Sequence, residues 1–163
     1  MKYFIRGTLL VSVMTAAVLI QTLSPWALNS QPLPVKKPTL FSPQQITCIA
    51  TAVYHEARGE PSIGQVAVAH VILNRVSARQ WGNIPCEVVY QPYQFTNIEL
   101  AAPDYTSKEW QEALEIARRS VSGFLPDPTG GATHYYAPER VETPWWAKAL
   151  TYLVDIGGHR FYV

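Results

Sequence analysis

The run Tyr54-His55-Glu56-Ala57-Arg58-Gly59-Glu60-Pro61 decides how this chain is read, because two helical patterns meet in it. Upstream, Ser42-Pro43-Gln44-Gln45 is a capping box with proline at the first helical position, followed by Ile46, Ile49, Ala50 and Val53 on one face. That helix is expected to end near Arg58, with Gly59 and Pro61 as its breakers. Downstream, Ser62-Ile63-Gly64-Gln65 reads as a second cap, and the segment from Gly64 to Val76 is apolar nearly all round. Such a helix has no solvent face and belongs in the core. A carboxylate at the end of one apolar helix and facing another sits where water is scarce. Glu56 is therefore expected to keep its proton to higher pH than a free carboxyl, as a general acid near neutral pH must.

The surrounding chain of 163 residues suits one compact domain. With 48% hydrophobic and 15% charged residues, the bulk of it can bury a core and is not a disordered polar segment. The basic excess is confined to the first thirty residues, where Lys2 and Arg6 stand without an acid. The remainder is close to neutral and carries no basic patch, which excludes nucleic acid as the expected partner. Five Trp and nine Tyr supply flat surfaces that either stack on sugar rings or fill the core.

Residues 1–30 read as an export signal or an uncleaved N-terminal membrane anchor. Residues 8–28 are apolar for about the length of a bilayer span, no small-x-small cleavage site is clear, and the balance leans towards an anchor in the inner membrane. Either way the domain is expected outside the cytoplasm, in the periplasm or cell envelope, with the N-terminus inside. Residues 31–40 hold Pro32, Pro34 and Pro38 and read as an extended linker, leaving 41–163 as the domain proper. An exported chain with one pair of cysteines, Cys48 and Cys86, is expected to join them as a disulfide. Cys86 to Tyr90 fits one helical turn, and 93–105 reads as a loop. Thr106-Ser107-Lys108-Glu109 is read as another capping box, opening a helix with Trp110, Ala113, Leu114 and Ala117 that ends at Gly123. Thr133 to Tyr136 has strand propensity, and Ala149 to Val163, broken at Gly157-Gly158, reads as a hairpin.

Several blocks in register carry a resemblance. Glu56-Ala57-Arg58-Gly59-Glu60-Pro61, Gly64-Gln65-Val66-Ala67-Val68-Ala69, Val71-Ile72-Leu73-Asn74-Arg75-Val76, Val88-Val89-Tyr90-Gln91-Pro92 and Gln94-Phe95 are similar to the SleB/CwlJ-type cell wall hydrolases, over residues 46–163. The resemblance implies an α+β, lysozyme-like fold, mainly helical; the hairpin reading adds a small antiparallel sheet towards the C-terminus. It implies cleavage of the β-1,4 bond between N-acetylmuramic acid and N-acetylglucosamine in peptidoglycan glycan strands, with Glu56 as the catalytic residue. The implied reaction is a lytic transglycosylation, in which the muramoyl C6 hydroxyl attacks and a single acid/base suffices. Hydrolysis of the same bond, and a wall-binding domain without chemistry, remain the alternatives.

Other chemistries fit the residues less well. His55-Glu56 begins like the zinc protease motif, but Gly59 stands where the second histidine is required. His70 lies within the buried helix and reads as a core histidine; no metal or other cofactor is expected. Glu60, four residues after Glu56, would lie about 6 Å away on the same side of a helix and cannot flank a sugar from the opposite face. It is expected to cap, or to pair with Arg58, both structural roles. Gln94, Phe95 and Thr96 match the family's Gln-Phe-Ser/Thr block, and Ala132 to Tyr136 its small-x-x-aromatic-Tyr strand. The resemblance thus implies a substrate-binding wall of Gln94, Phe95, Thr96, His134, Tyr135 and Tyr136. Of Trp145 and Trp146, taken as extended, at most one can face a sugar, and Trp145 is put forward.

Overall fold

The computed structural model describes residues 41–95, 98 and 101–163. The signal or anchor over 1–30, the linker over 31–40 and Thr96 lie outside the described residues. Helix α1 (Pro43–Ala57) starts at Ser42, whose hydroxyl accepts from the Gln45 amide while the Gln45 side chain accepts from the Ser42 amide. The reciprocal bonds satisfy two of the four amides that a helix start leaves open. It stops where Gly59 takes a left-handed conformation at φ +91°, which costs glycine nothing.

Helix α2 (Ser62–Ala78) follows, but not through the expected cap. Pro61 is the residue before the first turn and offers no side-chain acceptor. Ser62 already lies inside the helix, and its hydroxyl donates instead to Glu112 at 3.2 Å. The Gln65 amide group donates to the Glu60 carbonyl at 3.2 Å. Every residue from Gly64 to Ile72 is buried, as the all-round apolar pattern requires. One side of α2 packs with α1, the short α3 (Pro85–Val89) and α4 (Lys108–Val121); there Ile49, Val53, Val68 and Ile72 are fully enclosed. Each such side chain contributes about 1.5–3 kcal/mol through burial. The other side presents Ala67 and Val71 to Ala132 and Phe161 beneath the sheet.

Two further differences from the sequence reading are local. Helix α4 is capped by Ser107, whose hydroxyl accepts from the Trp110 amide, because Thr106 is engaged one residue earlier by the Asp104 carboxylate. Trp145–Lys148 forms a 3-10 turn rather than an extended segment, so alternation across a strand does not apply to Trp145 and Trp146. The sheet consists of β1 (His134–Tyr136), β2 (Tyr152–Ile156) and β3 (His159–Tyr162), antiparallel in the order β1-β3-β2. β2 and β3 are the expected hairpin, turning at Gly157, φ +58°. Tyr135 pairs with Phe161 across β1 and β3. The disulfide joins Cys48 of α1 to Cys86 of α3, with Cα atoms 5.2 Å apart. This is the mainly helical α+β architecture with a C-terminal antiparallel sheet that was expected.

Candidate active site at the end of helix α1

Glu56 lies on the last turn of α1, half-buried, with Oε1 enclosed and without a hydrogen-bond partner. Burial raises its pKa above the ordinary carboxyl value; the Tyr135 hydroxyl, donating towards the carboxylate, partly offsets this. The Tyr135 hydroxyl is itself pushed well above the usual phenol range, first by burial and then by the negative charge of Glu56, against the pull of Arg75. Strand β1 reaches Glu56 because β3 holds it on the sheet, where the Tyr135 ring lies edge-on to His159 at 5.2 Å and tilted against Phe161 at 5.7 Å.

Arg75 is the residue that sequence reasoning missed. It sits on the last turn of α2 and is 5% exposed. Its Nε donates to the Thr133 carbonyl at 2.7 Å, and its guanidinium lies over the rings of Trp81 and Phe95, each at 5.3 Å. Nη1 is buried and has no partner. Burial lowers the Arg75 pKa and the nearby Tyr135 raises it. No spacing in the sequence marks Arg75, since a basic residue in the last turn of a helix is ordinary C-terminal chemistry.

The other expected site residues are placed differently from one another. His134, Tyr135 and Tyr136 come together on β1. The His134 ring contacts Trp81 at 5.4 Å and Trp146 at 5.2 Å, and its Nδ1 lies 3.0 Å from the Thr133 hydroxyl. Burial and the Arg75 charge both lower its pKa, favouring the neutral ring. The Tyr136 ring stacks on Tyr162 and meets Trp146 edge-on. Trp146, not Trp145, therefore joins the aromatic cluster beside β1; Trp145 is 82% exposed. Phe95 is a core residue at 4% exposure under the Arg75 guanidinium, so it supports the site from within rather than lining its wall. Gln94 is half-buried in the turn after Pro92, its amide 3.3 Å from the Gln91 carbonyl.

Glu60 and Arg58 hold structural positions with different partners from those expected. The Glu60 carboxylate accepts from the Gly158 amide at 2.8 Å, tying the link between α1 and α2 to the hairpin turn. Arg58 places its guanidinium over the Tyr54 ring at 4.9 Å, and the one ion pair among the described residues is Arg160 with Asp155. His55, next to Glu56, has a lowered pKa from burial and from Arg58, with a backbone interaction at Ala101 opposing, and its Nε2 is buried without a partner. His70 is the core histidine expected. Its Nε2 lies 2.8 Å from the Leu125 carbonyl, an acceptor, so that nitrogen carries the proton.

The model of the cell wall hydrolase family matches residues 59–162. The chain belongs to that family. It is 38% identical over 127 residues to a spore cortex-lytic enzyme of Halalkalibacterium halodurans, a match covering 76% of this chain and 36% of that protein. With the spore cortex-lytic enzyme of Bacillus subtilis it is 36% identical over 122 residues, covering 74% of this chain and 38% of the relative. The match thus spans less than half the length of these curated relatives. Among solved structures, the catalytic domain of the germination-specific lytic transglycosylase SleB from Bacillus anthracis superposes with a TM-score of 0.67 at 35% identity. That match covers 77% of this chain and 99% of the SleB domain. The catalytic domain of Bacillus cereus SleB gives 0.63, also at 35% identity, with 94% of it covered. The family therefore accounts for the helical layer and the sheet together.

Proposed function

We propose that this chain cleaves peptidoglycan at the β-1,4 bond between N-acetylmuramic acid and N-acetylglucosamine, as a lytic transglycosylase with Glu56 as its acid and base. The observation that carries the reading is the Glu56 carboxyl, half-enclosed at the end of α1 with burial holding its pKa up. A raised pKa widens the pH range over which the carboxyl holds the proton that a glycosidic oxygen needs. Glu56 donates to the departing oxygen as the bond to the muramoyl C1 breaks. As a carboxylate it then takes the proton from the muramoyl C6 hydroxyl, whose oxygen closes on C1 to leave a 1,6-anhydro sugar. The enzyme ends protonated, as it began. Tyr135, donating towards the carboxylate, stabilises the intermediate charge on Glu56.

An attacking water would call for a second carboxylate on the opposite face of the sugar. Glu60, the nearest in sequence, is engaged by the Gly158 amide. This favours attack by the substrate's own hydroxyl over hydrolysis. The kinship with a domain described as a lytic transglycosylase supports the same choice. His134 and Trp146, both half-buried, form the aromatic wall on which sugar rings stack in this reading, with the buried Tyr136 ring packed edge-on behind Trp146. A substrate in the wall also fits an exported chain, with residues 1–30 as the signal or the anchor and 41–163 as the catalytic domain.

Purified sacculi incubated with residues 41–163 and analysed by mass test the proposal. Anhydro-muramoyl ends are expected. Reducing ends would replace transglycosylation by hydrolysis, and intact wall with bound protein would leave only a binding module.

A further inference from the structure

Buried polar atoms without a partner gather around Tyr135: Oε1 of Glu56, Nη1 of Arg75 and Nδ1 of His159, whose ring lies edge-on to Tyr135 at 5.2 Å. An unpaired buried cation is costly, and cores do not keep one by chance. Here it is kept between two aromatic rings, with Nε fixed on the Thr133 carbonyl at 2.7 Å. Thr133 immediately precedes β1, so this bond ties α2 to the strand that carries Tyr135. The Thr133 amide in turn donates to the Tyr162 carbonyl at 2.9 Å, so the start of β1 is held from both sides.

We propose that Arg75 is a positioning residue: its buried guanidinium anchors the start of β1 and holds the Tyr135 hydroxyl against Glu56. Arg75 acts through Tyr135 and the strand, not on the sugar. The inference rests on Glu56 as the acid in the proposed reaction, but it concerns the environment of that carboxyl and can be tested without substrate.

The chargeable groups around Tyr135 and Glu56 come from every neighbouring element. They are His55 on α1, Arg75 on α2, His134 on β1 and His159 on β3, with Arg58 acting on His55, and Glu60 and Arg140 acting on His159. The Tyr135 hydroxyl is the one side chain that lowers the Glu56 pKa, against the effect of burial. Moving that hydroxyl away must therefore shift the Glu56 pKa upwards.

The test is a cycle of Arg75→Met, Tyr135→Phe and the double variant, with the Glu56 carboxyl titrated by carbon NMR and sacculus cleavage followed against pH. Tyr135→Phe is expected to raise the Glu56 titration midpoint. Arg75→Met should raise it in the same direction, and the double variant should move it no further than Tyr135→Phe alone. kcat should fall by about a hundredfold for Arg75→Met with KM little changed, as for a misplaced catalytic group. Arg75→Lys, which keeps the charge but loses the planar fork, should behave like Arg75→Met; it also supplies the measurement if Arg75→Met does not fold. A lowered melting temperature with an unmoved Glu56 titration in either Arg75 variant overturns the proposal, as do shifts that simply add in the double variant. A Glu56 titration that moves while the cleavage profile does not would leave the positioning intact and refute Glu56 as the acid.

Discussion

Glu56 and Glu60 flank a single turn of chain, one on the last turn of α1 and the other in the link to α2, and the fold uses them oppositely. Glu56 is left with an enclosed, unpartnered oxygen, and burial holds its proton. Glu60 is handed a backbone amide from Gly158 and is spent as a structural acceptor. The two carboxyls are chemically identical, so the difference lies in what the third dimension supplies to each. A backbone donor converts a carboxylate into a tether; removing water, with only the Tyr135 hydroxyl to offset it, pushes the pKa up towards that of an acid.

The sharpest way to break this contrast is to neutralise each carboxyl in turn. Glu56→Gln is expected to reduce anhydro-muropeptide release by about 10³-fold or more while the protein still binds sacculi. Glu60→Ala should leave release intact. Unchanged release in Glu56→Gln would end the assignment of roles.

The frame on which both sit is tested next. Removing the disulfide by Cys48→Ala and Cys86→Ala frees α1 from α3 and is expected to cost roughly 3–4 kcal/mol in denaturant unfolding. A smaller effect tests the tether itself. Gly157 has φ +58°, and a methyl group there would run into the Glu60 carboxylate. Gly157→Ala should cost about 2 kcal/mol, from the left-handed backbone and this collision together. In a Glu60→Ala background the cost should drop to about 1 kcal/mol, while Glu60→Ala alone costs about 1 kcal/mol for its hydrogen bond. Additive losses in thermal melts would show that the two residues do not meet.

The smallest expected effect is in the pH dependence of stability. The folded-state pKa of Glu56 is raised, so the folded protein favours the protonated carboxyl. Its contribution is fully present below the unfolded carboxyl pKa and is lost as pH rises through the raised folded value. Relative to Glu56→Gln, the wild-type chain should thus lose thermal stability as pH climbs above the ordinary glutamate range. A melting-temperature difference that stays constant with pH would contradict a buried acid.

Much of the helical half was legible because its signals are local. Ser42 and Gln45 cap α1 with no help from elsewhere, and Gly59 breaks it through its own backbone freedom. The unbroken apolar run of α2 could only be a helix enclosed on every side, and α2 does sit between the helical layer and the sheet. The caps of α2 and α4 were misread for one reason. A serine or threonine near a helix start has several possible partners, and Glu112 and Asp104 competed for Ser62 and Thr106. The positions of Phe95 and Trp145 were not legible because an aromatic residue suits a core and a sugar surface equally well, and only packing separates the two.

From its residues alone, then, this chain determined where its main helices begin and end, which helix is enclosed, which cysteines pair and which acid stands at the junction. Those features depend on a few neighbouring residues, or on an apolar pattern that any folded arrangement must bury. The partners of Glu60, the unpartnered Nη1 of Arg75 and the approach of Tyr135 to Glu56 were decided only in the tertiary structure. They are meetings between residues far apart in the chain, and desolvation, which gives them their chemistry, does not exist until the helices and the sheet have closed over them.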